Sequence, residues 1–205
     1  MQDYKAILEP DSYYHIYNRA NGKDKLFLTD ANYRYFLQKY NFYISSIANT
    51  FAYCLMPNHF HFLIRVKSNI QISTLQGFET LEGLLLSKKI SQQFSHLFNG
   101  YTQSFNKQND RKGSLFIPRF NRKKITSESY LKNTLNYIHQ NPVSHGYVAE
   151  LEDWKYSSYS TFFSSKESKI NKIEVLNWFN DLDNFKFYHN FKKAEQLGLE
   201  MGLAY

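Results

Sequence analysis

Cysteine is almost missing from the chain: Cys54 is the one such residue among 205. That excludes an internal disulfide and a cysteine-based zinc finger, and it fits a reducing cytoplasm. Long apolar runs are missing too. None approaches the ~20 residues that a membrane-spanning helix needs, so no membrane association is expected. The first residues, Met1-Gln-Asp-Tyr-Lys5, carry no apolar stretch, and no secretory signal is expected there. No internal repeat and no low-complexity linker divides the chain. Acidic residues are scarce in one part only. Residues 1–149 hold 18 Lys and Arg against 9 Asp and Glu, whereas residues 150–205 hold 7 against 9. The basic excess therefore belongs to the longer N-terminal part.

What is present is aromatic and apolar. Hydrophobic content of 42% is ample for a core, and the length suits one sizeable domain with an appendage. Seventeen Tyr and 18 Phe exceed what core filling requires. Aromatic faces are what single-stranded bases stack on, although the residue usage of an AT-rich genome gives the same excess. Between Thr102 and Ile125 lie Lys107, Arg111, Lys112, Arg119, Arg122, Lys123 and Lys124, opposed only by Asp110. Such a segment is either a solvated face or the footprint of a polyanion.

The run from Phe51 to Val66 reads as two strands, Thr50–Met56 and His59–Lys67, joined at Pro57-Asn58. Strand side chains alternate faces, so His59 and His61 point one way while Phe60 and Phe62 point the other. Two imidazoles side by side on an apolar strand can present two nitrogens to one divalent metal. They can equally be an ordinary hydrogen-bonded pair. Ser127–Asn141 reads as a helix, with Leu131, Leu135 and Ile138 as one buried stripe, Ser127 as N-cap and Glu128 in the first turn. Pro142 disfavours helical geometry at Asn141, so the helix is expected to end there. Tyr137 and Asn141 are four apart and share a face. A phenol and an amide oxygen are thus offered together.

The remaining pattern fills in the frame. Ser12–Arg19 is a strand with Tyr14 and Ile16 on one face and Tyr13, His15 and Tyr17 on the other. Asp30 can cap a helix running to about Ser46. Leu81 to about Phe105 reads as one long helix or two, and Ser114–Ile125 as a strand or strand pair. The order β-α-β-β-α-β-α predicts an α+β fold: a ferredoxin-like antiparallel sheet with helices mainly on one face. Residues 1–165 form the domain in this reading. Residues 166–205 form a short helical C-terminal extension packed on the core.

The chain also resembles a known family. Tyr14-His-Ile-Tyr-Asn-Arg19, Met56-Pro-Asn-His-Phe-His61, Gly113-Ser-Leu-Phe116, Tyr137-Ile-His-Gln-Asn-Pro-Val143 and Trp154-Lys-Tyr-Ser-Ser-Tyr159 resemble blocks of the HUH-type single-tyrosine transposases. The branch they match is the REP-associated tyrosine transposases. The blocks keep the family order over about residues 12–160. Ala20, Phe116-Ile-Pro-Arg-Phe120 and an apparent insertion at about 70–90 depart from it, and the first two bear on DNA specificity.

The resemblance implies cleavage and rejoining of single-stranded DNA beside hairpin repeats. Tyr137 would be the nucleophile, forming a 5′-phosphotyrosine. His59, His61 and Asn141 would bind Mg²⁺ or Mn²⁺, and zinc would bind the same donors. Arg19, Arg119 and Arg122, with Arg111, Lys112, Lys123 and Lys124, are candidate DNA contacts. His15 could line the site or be structural, and Trp154 and Tyr159 read as core. The residues His96, His145 and His189 have no metal-like spacing. The short stretch from Ile125 to Ser127 favours a monomer over a homodimer that exchanges tyrosine helices. Two other readings are a non-catalytic nucleic-acid-binding module and a metal-dependent hydrolase that uses water.

Overall fold

The computed structural model describes residues 6–77, 81 and 83–190. Its frame is a four-stranded sheet: β1 (Tyr13–Arg19), β2 (Ala48–Met56), β3 (His59–Val66) and β4 (Asn121–Ile125). The spatial order is β2-β3-β1-β4, and every neighbouring pair is antiparallel. Helix α1 (Asp30–Ile44) crosses from β1 to β2. The short helix α2 (Asn69–Ser73) and the long α3 (Gly83–Gln108) connect β3 to β4. That is the ferredoxin-like α+β arrangement expected from the element order.

Both faces of the sheet are covered, which explains why seven of the eight residues of β3 are buried. On one face Ile16, Phe60 and Phe62 meet Phe36 of α1 and Phe94 and Leu97 of α3. The two longer crossover helices thus share this face. On the other face Phe51, Cys54 and Leu63 meet α4 (Glu128–Ser144) through Leu131, Leu135 and Ile138. Helices α5 (Lys172–Trp178) and α6 (Leu182–Asn190) close this second core with Val175 and Phe185. Ile170 and Phe179 join the same cluster; residues 191–205 of the expected C-terminal extension lie outside the described residues. Among the described residues no helix is long and apolar enough to cross a membrane.

Three of the departures from the expected boundaries have a plain physical cause. Helix α1 is capped by Thr29, not Asp30, with the Asn32 side-chain oxygen accepting from the backbone N–H groups of Leu28 and Thr29. Residues 114–120 do not form a continuous strand. Phe116 makes a lone bridge to Ala20, then Pro118 and the left-handed backbone of Arg119 (φ 66°) break the ladder before β4 begins. Helix α4 continues past Asn141 to Ser144, with Pro142 inside its last turn. Its stop is set by Gly146 (φ 69°), whose N–H donates to the Val143 carbonyl while Tyr147 N–H donates to that of Pro142. This left-handed glycine cap satisfies the terminal carbonyls and outweighs the local preference imposed by the proline.

A buried imidazole chain ties α6 to α4. The Nδ1–H of His189 donates to the Phe185 carbonyl at 2.8 Å. A neutral His189 must then accept at Nε2, so the Nδ1–H of His139 donates to it at 2.9 Å. His139 Nε2 in turn accepts from the Ser158 hydroxyl at 2.8 Å. With both rings neutral, this proton arrangement satisfies every ring nitrogen. Burial accordingly pushes His189 down to about 4 and His139 well below its ordinary value.

Two outcomes follow. Phe185→Ala should lower unfolding free energy by about 3–5 kcal/mol in urea titrations, the usual cost of emptying a buried aromatic site. A loss under ~1 kcal/mol would mean that α6 is not integral to the core. The second concerns acid. The unfolded chain binds protons below about pH 6.5, whereas the folded imidazoles resist them. Stability should therefore be full above about pH 6.5 and fall as pH drops towards 4, by about 1.4 kcal/mol per pH unit for each such histidine. His189→Gln should flatten that slope by about one proton, as read from urea unfolding at stepped pH.

Candidate active site

The site lies where β3 and β1 face α4. His59 and His61 project from β3 onto this face, and the hairpin turn before them is fixed from outside. Pro57 O accepts from the N–H groups of Leu26 and Phe27, and Asn58 O accepts from Ala20 N–H at 2.7 Å. Helix α4 brings Tyr137 and Asn141 from above. Its register is set by burial of Leu131, Leu135 and Ile138 and by the imidazole chain through His139. His139 points into the second core, away from the site, in line with its angular distance from Tyr137 around the helix.

The four residues expected to act together do converge. His59 Nε2 lies 3.1 Å from Asn141 Oδ1, and His59 Nδ1 lies 2.8 Å from Asn58 Oδ1. The His59 and His61 rings are 5.2 Å apart, centroid to centroid. Tyr137 meets His61 edge-on at 5.4 Å. The Asn141 amide is oriented by its own Nδ2, which donates to the Tyr137 carbonyl at 3.2 Å. All four side chains are buried, Tyr137 retaining 6% exposure.

Three more residues join them. His15 from β1 places Nε2 3.0 Å from His61 Nδ1. Tyr17 stacks on both rings, at 4.8 Å from His15 and 5.7 Å from His61. His145, just past α4, sets Nδ1 2.9 Å from the Asn141 carbonyl, with its ring 5.2 Å from His59. For His145 spacing gave no hint, because the contact depends on the helix running past Pro142. For His15 the face was legible and the partner was not.

Burial governs the electrostatics. It pushes His15 down to about 3, with Lys123 adding to the effect, and His59 down to about 4 although a hydrogen bond to Asn141 Oδ1 acts the other way. His61 is held well below its ordinary value by burial and by its histidine neighbours. The rings are therefore neutral at pH 7, the form that binds metals. Among the described residues no group of three or more His, Cys, Asp or Glu side chains is placed to hold a metal ion. The donors available are two imidazoles and the Asn141 amide oxygen. They fit a divalent cation in one respect: His61 Nε2 is buried with no hydrogen-bond partner among the described residues.

The basic residues expected to contact DNA do not form one surface. Lys123 is buried, pairs with His15 across β1–β4, and burial takes its ammonium down to about 8. Arg122 and Lys124 point to the opposite face, where Arg122 bonds Ser91 of α3 and Lys124 pairs with Glu9. Arg111 is bound by Asp24 and by the carbonyls of Gly113 and Ser114. Arg19, Lys112 and Arg119 are exposed and form no ion pair among the described residues.

No family model matches the chain. A protein of Haemophilus influenzae assigned by name to the REP-associated tyrosine transposases is 29% identical over 170 residues, 78% of this chain and 86% of that relative. The structure of a REP-associated tyrosine transposase bound to a REP hairpin superposes with a TM-score of 0.60 at 16% identity, covering 80% of this chain and 87% of the other. A bacterial tRNA(His) guanylyltransferase-like protein bound to GTP gives 0.42 at 10% identity, over 77% and 73% of the two chains, too low to carry an argument. Sequence likeness and fold agree over most of the length: the chain is similar in sequence to a REP-associated tyrosine transposase and shares the fold of another.

Proposed function

We propose that the protein is a tyrosine transposase that cleaves and rejoins single-stranded DNA beside a hairpin. The observation that carries this reading is the meeting of Tyr137, His59, His61 and Asn141 at one point of one chain. The relatives support the substrate class: one that is named a REP-associated tyrosine transposase matches over most of its length, and the fold neighbour is bound to a REP hairpin.

A phosphodiester resists nucleophiles because its own charge repels them. A divalent cation held by His59, His61 and Asn141, Mg²⁺ or Mn²⁺ by the donor set, would neutralise and polarise the scissile phosphate. Tyr137 attacks phosphorus through Oη and gives up its phenol proton, which balances the one that O3′ takes up. The new Oη–P bond gives a 5′-phosphotyrosine, the P–O3′ bond breaks, and the departing O3′ takes up a proton as a free 3′-OH. The covalent link keeps the phosphodiester's energy, so another 3′-OH can reverse the exchange without ATP. Asn141 serves twice in this reading. It offers its oxygen beside His59, and through its amide it fixes the turn of α4 that carries Tyr137.

The nucleophile and all three candidate ligands belong to one chain, which supports a monomer acting in cis. DNA contacts are proposed for the exposed Arg19, Lys112 and Arg119 and, at the site itself, for Lys123. Arg111, Arg122 and Lys124 act chiefly within the fold.

With labelled hairpin-bearing single-stranded DNA and Mn²⁺, the wild type should give a covalent adduct on a denaturing gel, abolished in Tyr137→Phe. Cleavage that survives this substitution would overturn the tyrosine assignment, and binding without cleavage under either metal would favour a non-catalytic module. Mixing Tyr137→Phe with His61→Ala should restore nothing, since each protomer works alone; recovered activity would indicate exchange between subunits. Arg119→Ala should weaken DNA binding and lower its salt slope by about one unit. Arg111→Ala should instead lower the urea midpoint of unfolding, with a smaller effect on the salt slope.

A further inference from the structure

The two strand histidines that no hydrogen-bond count can satisfy are His15 and His61. Both are buried, at 0% and 1% exposure. Their ring planes are tilted by 27° at a centroid distance of 5.1 Å, with His15 Nε2 and His61 Nδ1 at 3.0 Å. The other nitrogen of each, His15 Nδ1 and His61 Nε2, has no hydrogen-bond partner among the described residues. Two neutral imidazoles at this distance share one proton between them, and its position has a consequence. If His15 donates from Nε2, a neutral His61 must carry its own hydrogen on Nε2. That hydrogen would occupy the only position through which His61 can ligate a metal. If His61 donates from Nδ1, its Nε2 lone pair is free.

We infer that His15 is the positioning residue of the site: it accepts the Nδ1–H of His61 and so holds His61 in the one tautomer that can bind a cation. A histidine ligand whose far nitrogen is held by a neighbouring acceptor is a recurrent device of metal sites. Here the acceptor is a second imidazole instead of a carboxylate or carbonyl. The contact is diagonal across the β1–β3 ladder, where Tyr17 is directly opposite His61 and His15 opposite Leu63. Tyr17, stacked on both rings, keeps the two planes aligned. His15 touches neither substrate nor metal in this role. The inference rests on the metal reading proposed above for His59, His61 and Asn141.

The test uses the full chain and two substitutions. His15→Gln keeps an acceptor at the reach of Nε2, and His15→Phe removes it. Long-range ¹H–¹⁵N correlation spectra of the metal-free and Mg²⁺-loaded protein report the His61 tautomer. Electron paramagnetic resonance of free Mn²⁺ reports affinity. We expect His61 in the Nδ1–H form in the wild type, Mn²⁺ affinity lowered about tenfold or more in His15→Phe, and recovery to within about threefold of wild type in His15→Gln. His61 in the Nε2–H form in the wild type would overturn the inference whatever the variants do. So would equal Mn²⁺ affinity in the wild type and His15→Phe. If the wild type binds no Mn²⁺, the metal reading fails, and the tautomer of the metal-free protein still decides the role of His15. Should His15→Phe not fold, the wild-type tautomer decides in the same way.

Discussion

The structure depends on the docking of α4 against the β2–β3 face of the sheet. Leu131, Leu135 and Ile138 bury their side chains on Phe51, Cys54 and Leu63, each contributing about 1.5–3 kcal/mol by area removed from water. That packing fixes the height and rotation of the helix. Tyr137 and Asn141 lie on the part of its circumference that faces His61 and His59, so a rotation of the helix would part all four. The site is consequently a by-product of core packing, and its precision is borrowed from the core. The same face is sealed further out by α5 and α6, and the His139–His189 chain locks α6 to the helix that carries the tyrosine.

The two faces of the sheet divide the labour. The face under α1 and α3 is chiefly apolar, with Phe60 and Phe62 filling it and Arg122 and Lys124 at its β4 edge. The opposite face is apolar only along β2 and the far end of β3. Towards the Pro57-Asn58 turn it becomes a cluster of imidazoles and phenols: His59, His61, His15, Tyr17 and Tyr137. Burying so many polar rings is tolerable because each is neutral and most are paired. Among the described residues the ring nitrogens left over are His15 Nδ1 and His61 Nε2, and a cation beside His61 would repair the second.

Much of this was legible in the sequence. Period-two alternation put His59 and His61 on one face, and a three-to-four-residue stripe set the face of α4. Both patterns reflect burial, which is why they survived. The helix end was misjudged because the Pro142 signal is local, whereas the cap at Gly146 completes a hydrogen-bond set four residues on. The charge density of the basic segment carries no direction, so the sequence alone leaves open which of its side chains share a face. In the fold, alternation along β4 sends Lys123 to the site and Arg122 and Lys124 to the opposite side. His15 meeting His61 depends on inter-strand register, which no single strand's pattern contains. His145 depends on the course of the chain after the proline.

The central claim is that His59, His61 and Asn141 form one cation site beside Tyr137. A crystal soaked in Mn²⁺ and measured for anomalous scattering tests it most directly. The account predicts a single strong peak about 2.0–2.4 Å from His59 Nε2, His61 Nε2 and Asn141 Oδ1 together, the usual span for nitrogen and oxygen ligands of such ions. A peak elsewhere, or no peak at saturating Mn²⁺ with the His59–Asn141 contact intact, would contradict it.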